Sequence, residues 1–232
     1  NRVRPGGEHR VREHRARDPR EQRINTMVIA KGSDWGHPIS PVELDGVRRV
    51  ASDRSAAAMI CEDAKGIPRG GAIDPQPPSA VIVGGDLFKT LGSPRHLVGR
   101  RIPVDLLKVT TEDQTVVALA HVIARGFAWR GRAIVAMNAQ FLGPYNLGPK
   151  AHPNDAIMDI TEGTLGMRDS LAARKRARSG SHIPHPSLST SRVRSASWTF
   201  DSPLRIIVDG VDLGRRHQLS IDVIADAGWL AY

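Results

Sequence analysis

The sequence predicts a short α/β segment followed by a larger β-sandwich-like domain. The apolar run AVIV ends at Gly-Gly-Asp and leads into DLFKTLG, which is typical of a strand that hands over to a helix. After Pro94 the chain consists of β-branched and aromatic runs separated by turn residues, several of them strictly alternating. We therefore divide the chain into a tail at 1–26, an α/β segment at 27–95 and a β domain at 96–232.

The α/β segment begins with a predicted amphipathic helix. Apolar residues from Pro41 to Lys65 recur at steps of three and four, which is the spacing of one helical face. The following GIPRGGAIDPQPPS is dense in Gly and Pro and predicts a loop. Residues 80–83 then predict a buried parallel strand, and a helix is expected from Asp86.

The pattern of the β domain predicts which strand faces are buried. In HQLSIDV, the side chains of Leu219, Ile221 and Val223 fall on one face. The Asp-Gly pair in VDGVDLG predicts a hairpin between the last two strands. One helix, roughly from Gly166 to Arg178, interrupts this domain and ends in the Arg-rich ARKRARSGSH.

Charge and composition restrict the classes of function. The net charge is +9, and its excess lies in residues 1–26 and 168–194 rather than over a folded face. This distribution argues against a nucleic-acid-binding body. The single Cys61 excludes an internal disulfide, and no apolar run is long enough for a transmembrane helix or a signal peptide. We expect a cytoplasmic protein, with peripheral attachment to the membrane left open.

The basic tail at 1–26 allows two interpretations. It holds eight Arg against four acidic residues, which fits an arm for RNA, DNA or anionic membrane. It has few apolar residues and no aromatic residues, which fits a disordered extension upstream of a start at Met27. We favour the disordered extension.

Two short stretches offer candidate sites. Gly84 and Gly85 at a strand end would let phosphates approach the backbone amides, whereas Asp86 would equally serve as a helix N-cap. His152 and Asp155 lie in KAHPNDAIMDI, which fits either a Mg²⁺ or Ca²⁺ site or an Asx turn. The stretch GPYNLGPK fails as a P-loop because a proline precedes its lysine. Four further aspartates are expected in turns or on solvent faces: Asp209, Asp212, Asp222 and Asp226.

Three segments carry a resemblance to a known family. VIVGGDLFKTLG resembles the strand-GGDGT-helix of the diacylglycerol kinase and sphingosine kinase superfamily, whose first domain is similar to NAD kinase. MNAQFLGPYNLGPKAHPNDAIMDI is similar to the glycine-rich stretch that leads to an Asp-Gly in that family, and RIIVDGVDLG resembles its closing DGE hairpin. The likeness covers most of residues 79–232 and is strongest to the actinobacterial branch.

The resemblance implies a two-domain lipid kinase. In that family the GGDGT loop binds ATP, and a β-sandwich covers the lipid headgroup site. Gly84, Gly85 and Asp86 would then face the nucleotide phosphates, with Asp86 as the catalytic acidic group. The reaction implied is phosphorylation of a diacylglycerol-like lipid hydroxyl with ATP and Mg²⁺.

The resemblance also implies a cation position in the β domain. Asp155 would hold Mg²⁺ together with carbonyls near His152 and Ile157. The chain departs from the family at Val211, which stands where the DGE motif has its glutamate, the family's proposed base. Leu87, Phe88 and Ala156 are further departures.

Two functions follow from these expectations. One is a lipid kinase of this family, and the other is a non-catalytic lipid- or membrane-binding regulatory protein on the same scaffold. The expected partner is a lipid substrate or an anionic membrane surface, not a nucleic acid. A homodimer or a partner chain that supplies missing nucleotide elements stays open.

Overall fold

The computed structural model describes residues 35–64, 76–96 and 99–232. The tail at 1–26 and most of the predicted loop at 66–79 lie outside these ranges. The described chain is mostly antiparallel sheet with few helices. Its helices are α1 (Asp53–Ala64), α2 (Asp86–Thr90) and α3 (Met167–Ala177). Its strands are β1 (His37–Pro38), β2 (Arg49–Val50), β3 (Ala80–Ile82), β4 (Arg100–Thr110), β5 (Thr115–Ala118), β6 (His121–Arg125), β7 (Gly131–Met137), β8 (Phe141–Leu142), β9 (Tyr145–Asn146), β10 (Met158–Leu165), β11 (Leu188–Val193), β12 (Ser195–Val208) and β13 (Val211–Ala231).

The long strand β13 joins the two parts of the chain. The main sheet has the order β1-β4-β13-β12-β6-β7-β10-β11, and β5 pairs with β4. The first half of β13 pairs antiparallel with β12, and its last residues pair parallel with β3, where Leu230 lies opposite Ala80. Because β3 also pairs parallel with β2, the α/β segment and the β domain share one sheet.

The predicted helix from Pro41 to Lys65 is shorter in the structure. A 3₁₀ turn at Val42–Leu44 and strand β2 come first, and α1 begins only at Asp53. Val50 is extended and not helical because it pairs with Ile82 of β3 in the sheet. Ser52 then ends the extended segment, since its hydroxyl accepts a hydrogen bond from the Ser55 amide in the manner of an N-cap.

The other predicted elements around the hairpin are confirmed. Asp209 and Gly210 both have positive φ (44° and 79°) and join β12 to β13, as a tight hairpin turn requires. The face of β13 that carries Leu219 and Ile221 is buried, with exposed fractions of 1% and 0%. The helix predicted near Gly166–Arg178 is α3.

Two apolar cores lie on different parts of the sheet. The larger core is formed by the β domain and includes Ile206 and Leu219. The second core packs α1, β3 and α2 against β4 and the end of β13, and includes Ile60 and Leu87. Among the described residues, no helix is both long enough and apolar enough to span a membrane.

Truncating Ile206 to alanine should destabilise the fold. The side chain is fully buried in the larger core, so the lost contacts and the remaining cavity should lower the free energy of unfolding by about 2–4 kcal/mol. Urea denaturation measures this change. The control is Val42→Ala, because Val42 is 82% exposed and its truncation should change stability by less than about 0.5 kcal/mol. An equal effect of the two variants would contradict the described core.

Candidate functional site

The Gly84-Gly85-Asp86 segment, called here the GGD corner, lies between β3 and the start of α2. Gly85 has φ 97°, which disfavours any residue with a Cβ. A Cβ on Gly85 would lie 2.7 Å from Oδ1 of Asp53, and one on Gly84 would lie 2.7 Å from the carbonyl oxygen of Ala51. Close packing against the start of α1 therefore requires both glycines.

The buried carboxylate of Asp53 caps α2. Its Oδ2 accepts the amide of Asp86 at 2.6 Å, and its Oδ1 accepts the amide of Leu87 at 3.0 Å. These are N–H groups that a helix leaves unpaired at its N-terminus and that would otherwise bind an anion. Asp53 is 6% exposed, and burial raises its pKa to about 6 from an ordinary 3.8. An internal carboxylate thus occupies the amide of Asp86, which the resemblance places at the nucleotide phosphates, and the amide next to it.

Asp86, the predicted catalytic residue, has both carboxylate oxygens in contact with protein groups. Oδ1 accepts the amide of Gly143 at 2.7 Å, in the turn between β8 and β9. Oδ2 lies 3.5 Å from Nδ1 of His121. Lys89 of α2 also donates to the carbonyl of Gly143. The GPYNLGPK stretch, rejected as a P-loop, is therefore held against the GGD corner.

His121, at the start of β6, is the central uncharged group of this site. The side chain is 3% exposed, and neither ring nitrogen has a hydrogen-bond partner within the described part of the chain. Burial lowers the pKa of His121, although the charges of Asp86 and Asp53 oppose this shift. A neutral imidazole next to a carboxylate can accept a proton from a hydroxyl group.

Asp209 adds a third carboxylate; it lies in the hairpin turn as expected, but its side chain does not face solvent. Its side chain is 1% exposed and accepts three backbone N–H groups, those of residues 119–121, at 2.7–3.0 Å. Burial raises the pKa of Asp209 to about 6. Its Oδ1 lies 3.9 Å from Nδ1 of His121. The other three aspartates, Asp212, Asp222 and Asp226, are exposed as predicted.

The second predicted site lies before β10. Oδ2 of Asp155 lies 2.5 Å from Nη2 of Arg192, whose Nε also pairs with Asp159. The ring of His152 packs on Trp35, with 4.6 Å between centroids, and the amide of Ile157 donates to Oδ1 of Asp155 at 3.3 Å. The guanidinium therefore supplies the positive charge that the resemblance assigns to Mg²⁺.

The residues of this second site do not form an open cation cage. Within the described ranges, no group of three or more His, Cys, Asp or Glu side chains is arranged to hold a metal ion. Burial raises the pKa of Asp155 even though Arg192 opposes the shift, and burial lowers the pKa of His152. A role of His152, Asp155 and Ile157 in binding Mg²⁺ stays a prediction, and it requires Arg192 to move.

A buried aspartate, Asp105 of β4, holds the backbone around this second site. It accepts the amide of Ala156 at 2.7 Å and the amide of Asp226 at 2.9 Å, and burial raises its pKa to about 6. Ala156 has φ 58°, in the left-handed region that favours glycine. Asn138 donates to the carbonyls of Asp105 and Leu119 and so connects the two sites.

Sequence reasoning found the GGD corner but missed the residues that surround it. Asp53 lies 33 residues before Asp86. It falls within the predicted amphipathic helix, where only the apolar residues entered the prediction. His121 lies in a continuous β-type run, TVVALAHVIARG, in which it stands as one polar residue among apolar neighbours. Its position in this strand could have marked His121 as a candidate functional residue, because a polar side chain in a buried strand is normally retained for a hydrogen bond or a functional role.

Comparison with known proteins gives only a distant structural likeness. No protein-family model matches the sequence, and no curated protein matches it. A crystal structure of a diacylglycerol kinase from Bacillus anthracis strain Sterne is similar with a TM-score of 0.47 and 14% identity, over 68% of this chain and 67% of that one. Two further structures from that strain, provisionally named as diacylglycerol kinases, give TM-scores of 0.49 at 13% and 14% identity, over 68% of this chain and 70% of each of theirs. Function is therefore inferred from this chain's own residues.

Replacing Gly85 with alanine should destabilise the protein more than replacing Gly92. Both glycines have similar positive φ (97° and 92°), but a Cβ on Gly92 would meet no atom within 4 Å. The positive φ strains an alanine at either position by about 1 kcal/mol or more. At Gly85 the ψ of −179° adds to this strain, and only Gly85→Ala also crowds Asp53. Urea denaturation should give a difference of at least about 1 kcal/mol between them. Equal losses would show that Asp53 does not press on the GGD corner.

Removing the Asp53 carboxylate should change how stability depends on pH. A carboxyl whose pKa is raised to about 6 by folding binds protons more tightly in the native state, so its contribution to stability is present at low pH and is lost as pH rises through 6. The stability of the wild type relative to Asp53→Asn should therefore fall by roughly 2 kcal/mol between about pH 4 and pH 7.

Denaturant titrations across this pH range measure the difference. Asp63→Asn is the matched control, because Asp63 is an exposed carboxylate on the same helix. A wild-type advantage that stays constant or grows with pH would contradict the buried environment described for Asp53.

Proposed function

We propose that the protein is a non-catalytic lipid- or membrane-binding protein on a lipid-kinase-like scaffold. The observation that carries this proposal is the pair of hydrogen bonds from the amides of Asp86 and Leu87 to the Asp53 carboxylate. A nucleotide phosphate at this position would have to displace a carboxylate that already satisfies both donors. The Asp53 carboxylate therefore occupies the backbone donors of the GGD corner that a phosphate would need.

The electrostatics of the GGD corner support the same proposal. Asp53, Asp86 and Asp209 all lie near His121, whose pKa is lowered by burial. A triphosphate brought to this corner would meet three carboxylates against the single positive charge of Lys89, which is unfavourable at short range. Val211, at the position of the family's glutamate, cannot accept a proton.

The charge of α3 supports membrane binding as the remaining function. The helix and the residue after it carry five basic side chains, Arg168, Arg174, Lys175, Arg176 and Arg178, and one acidic side chain, Asp169. Each basic residue near an anionic lipid surface contributes about 1 kcal/mol to binding. Anionic lipid headgroups are the partner that this helix would recognise.

A lipid kinase is the second candidate, and the contact between Asp86 and His121 favours it. If Asp53 withdrew from the amides, ATP with Mg²⁺ would bind at the GGD corner, and His121, whose Nδ1 lies 3.5 Å from Asp86, would accept the proton of the lipid hydroxyl as that oxygen attacks the γ-phosphate. ADP would leave, and the phosphate would remain on the lipid.

Nucleotide binding and phosphoryl transfer distinguish the two candidates. We expect calorimetry of the wild type with ATP and Mg²⁺ to give no binding at about millimolar concentration, because the amides are capped. We expect no transfer of labelled phosphate to diacylglycerol in mixed micelles, while anionic vesicles still bind the protein without nucleotide.

The opposite result would establish the second candidate. Transfer that disappears in Asp86→Asn and in His121→Gln, and that persists in Asp212→Asn, would show that the corner is catalytic. Asp212 is the appropriate control because it is an exposed aspartate that pairs with Arg205, near the same hairpin.

A further inference from the structure

Three large apolar side chains are exposed near one end of the β domain. Phe127, in the 3₁₀ turn between β6 and β7, is 80% exposed, and Met167 and Leu171 of α3 are 68% and 72% exposed. Phe127 and Met167 line the same shallow depression, together with Arg130 and Leu165. An exposed apolar patch of this kind is typical of an interaction surface. These three residues are called here the α3 patch.

Local geometry directs these side chains away from the body of the protein. Ala128 and Trp129 both have positive φ (52° and 62°), which bends the turn. Trp129 packs against the apolar cluster of β6 and β7 and under the guanidinium of Arg125, whereas Phe127 remains exposed. On α3, Ala173 and Ala177 form the buried side. Met167 and Leu171 lie one turn apart, within roughly 40° of each other around the helix.

Basic side chains surround the apolar part of the α3 patch. Leu171 has Arg168 three residues before it, and Arg174 and Lys175 three and four residues after it, which are its neighbours on the helix surface. Arg130 is exposed beside Phe127 and Met167. The one acidic residue of α3, Asp169, lies roughly 160° around the helix from Met167.

We propose that the α3 patch docks on an anionic lipid bilayer, with Phe127, Met167 and Leu171 inserted at the level of the headgroups and the surrounding Arg and Lys side chains on the lipid phosphates. The combination of exposed apolar side chains with a basic rim is the pattern of an interfacial helix. The proposal rests on the membrane-binding function proposed above and assigns it to a surface remote in sequence from the GGD corner.

Charge selects the lipid surface over a second copy of this chain. Two α3 patches brought face to face would place their basic rims against each other, which is unfavourable. A membrane that contains phosphatidylglycerol supplies the negative charge that the rim lacks, and its acyl region receives the apolar side chains.

Vesicle co-sedimentation tests the proposal. The 232-residue chain is mixed with phosphatidylcholine vesicles, either pure or with about one third phosphatidylglycerol. We expect binding only with the anionic lipid, weakened by added salt. The double variant Phe127→Ser, Leu171→Ser should bind at least about tenfold more weakly, because two inserted side chains are lost. Arg168→Glu, Lys175→Glu should also bind at least tenfold more weakly, through the loss of charge attraction.

Val42→Ser is the matched control. Val42 is as exposed as Phe127 but belongs to the turn beside β1 and β2, far from β7 and β10 in the sheet order, so its variant should bind like the wild type. Circular dichroism and urea denaturation check that each variant is folded.

Three other results of these experiments would contradict the proposed docking of the α3 patch on a membrane. If the wild type binds anionic vesicles and the Phe127→Ser, Leu171→Ser variant binds equally well, the α3 patch is not the docking surface, although a membrane function through another segment survives. If the wild type binds no vesicles, the proposed function fails together with the patch. If light scattering shows a dimer that only the patch variants convert to monomer, a second copy covers the patch.

Discussion

Buried carboxylates that accept backbone amides hold the irregular parts of this fold in place. Asp53, Asp105 and Asp209 each accept two or three backbone N–H groups, at the start of α2, before β10 and at the irregular part of β13, and at the start of β6. Removing a carboxylate from water is unfavourable, and only direct hydrogen bonds to the charged oxygens offset it. Burial still dominates, since the pKa of each group is raised to about 6. The positions of α2, the hairpin end and the turn before β10 all depend on this balance.

The GGD corner shows how one sequence motif can satisfy two different requirements. Two glycines before a helix allow a phosphate to approach the backbone, but they equally allow another segment of the same chain to do so. Here the start of α1 lies in that space. The side chain of Leu87 is fully buried in the core, and its backbone amide donates a hydrogen bond to Asp53. The glycines are therefore explained by packing alone, without a ligand.

The two parts of the chain differ in what they expose. Residues of both parts form a closed, carboxylate-rich corner around His121, whereas the β part alone presents apolar and basic side chains on α3 and the adjacent turn. Strand β13 runs through both parts and fixes their relative position, because its two ends pair with β12 and β3. The proposed binding surface and the GGD corner thus lie on one continuous sheet.

Local sequence patterns were sufficient to predict four features: the alternating face of β13, the Asp209-Gly210 hairpin, the extent of α3 and the change from strand to helix at Gly85. These depend on side-chain periodicity and backbone conformation within a few residues. Long-range contacts in the folded chain make Arg49 and Val50 a strand, place Asp53 at the start of α2 and bring Arg192 to Asp155. Each of these contacts joins residues more than 30 positions apart, and no local pattern records which partner a buried carboxylate or a strand edge will meet.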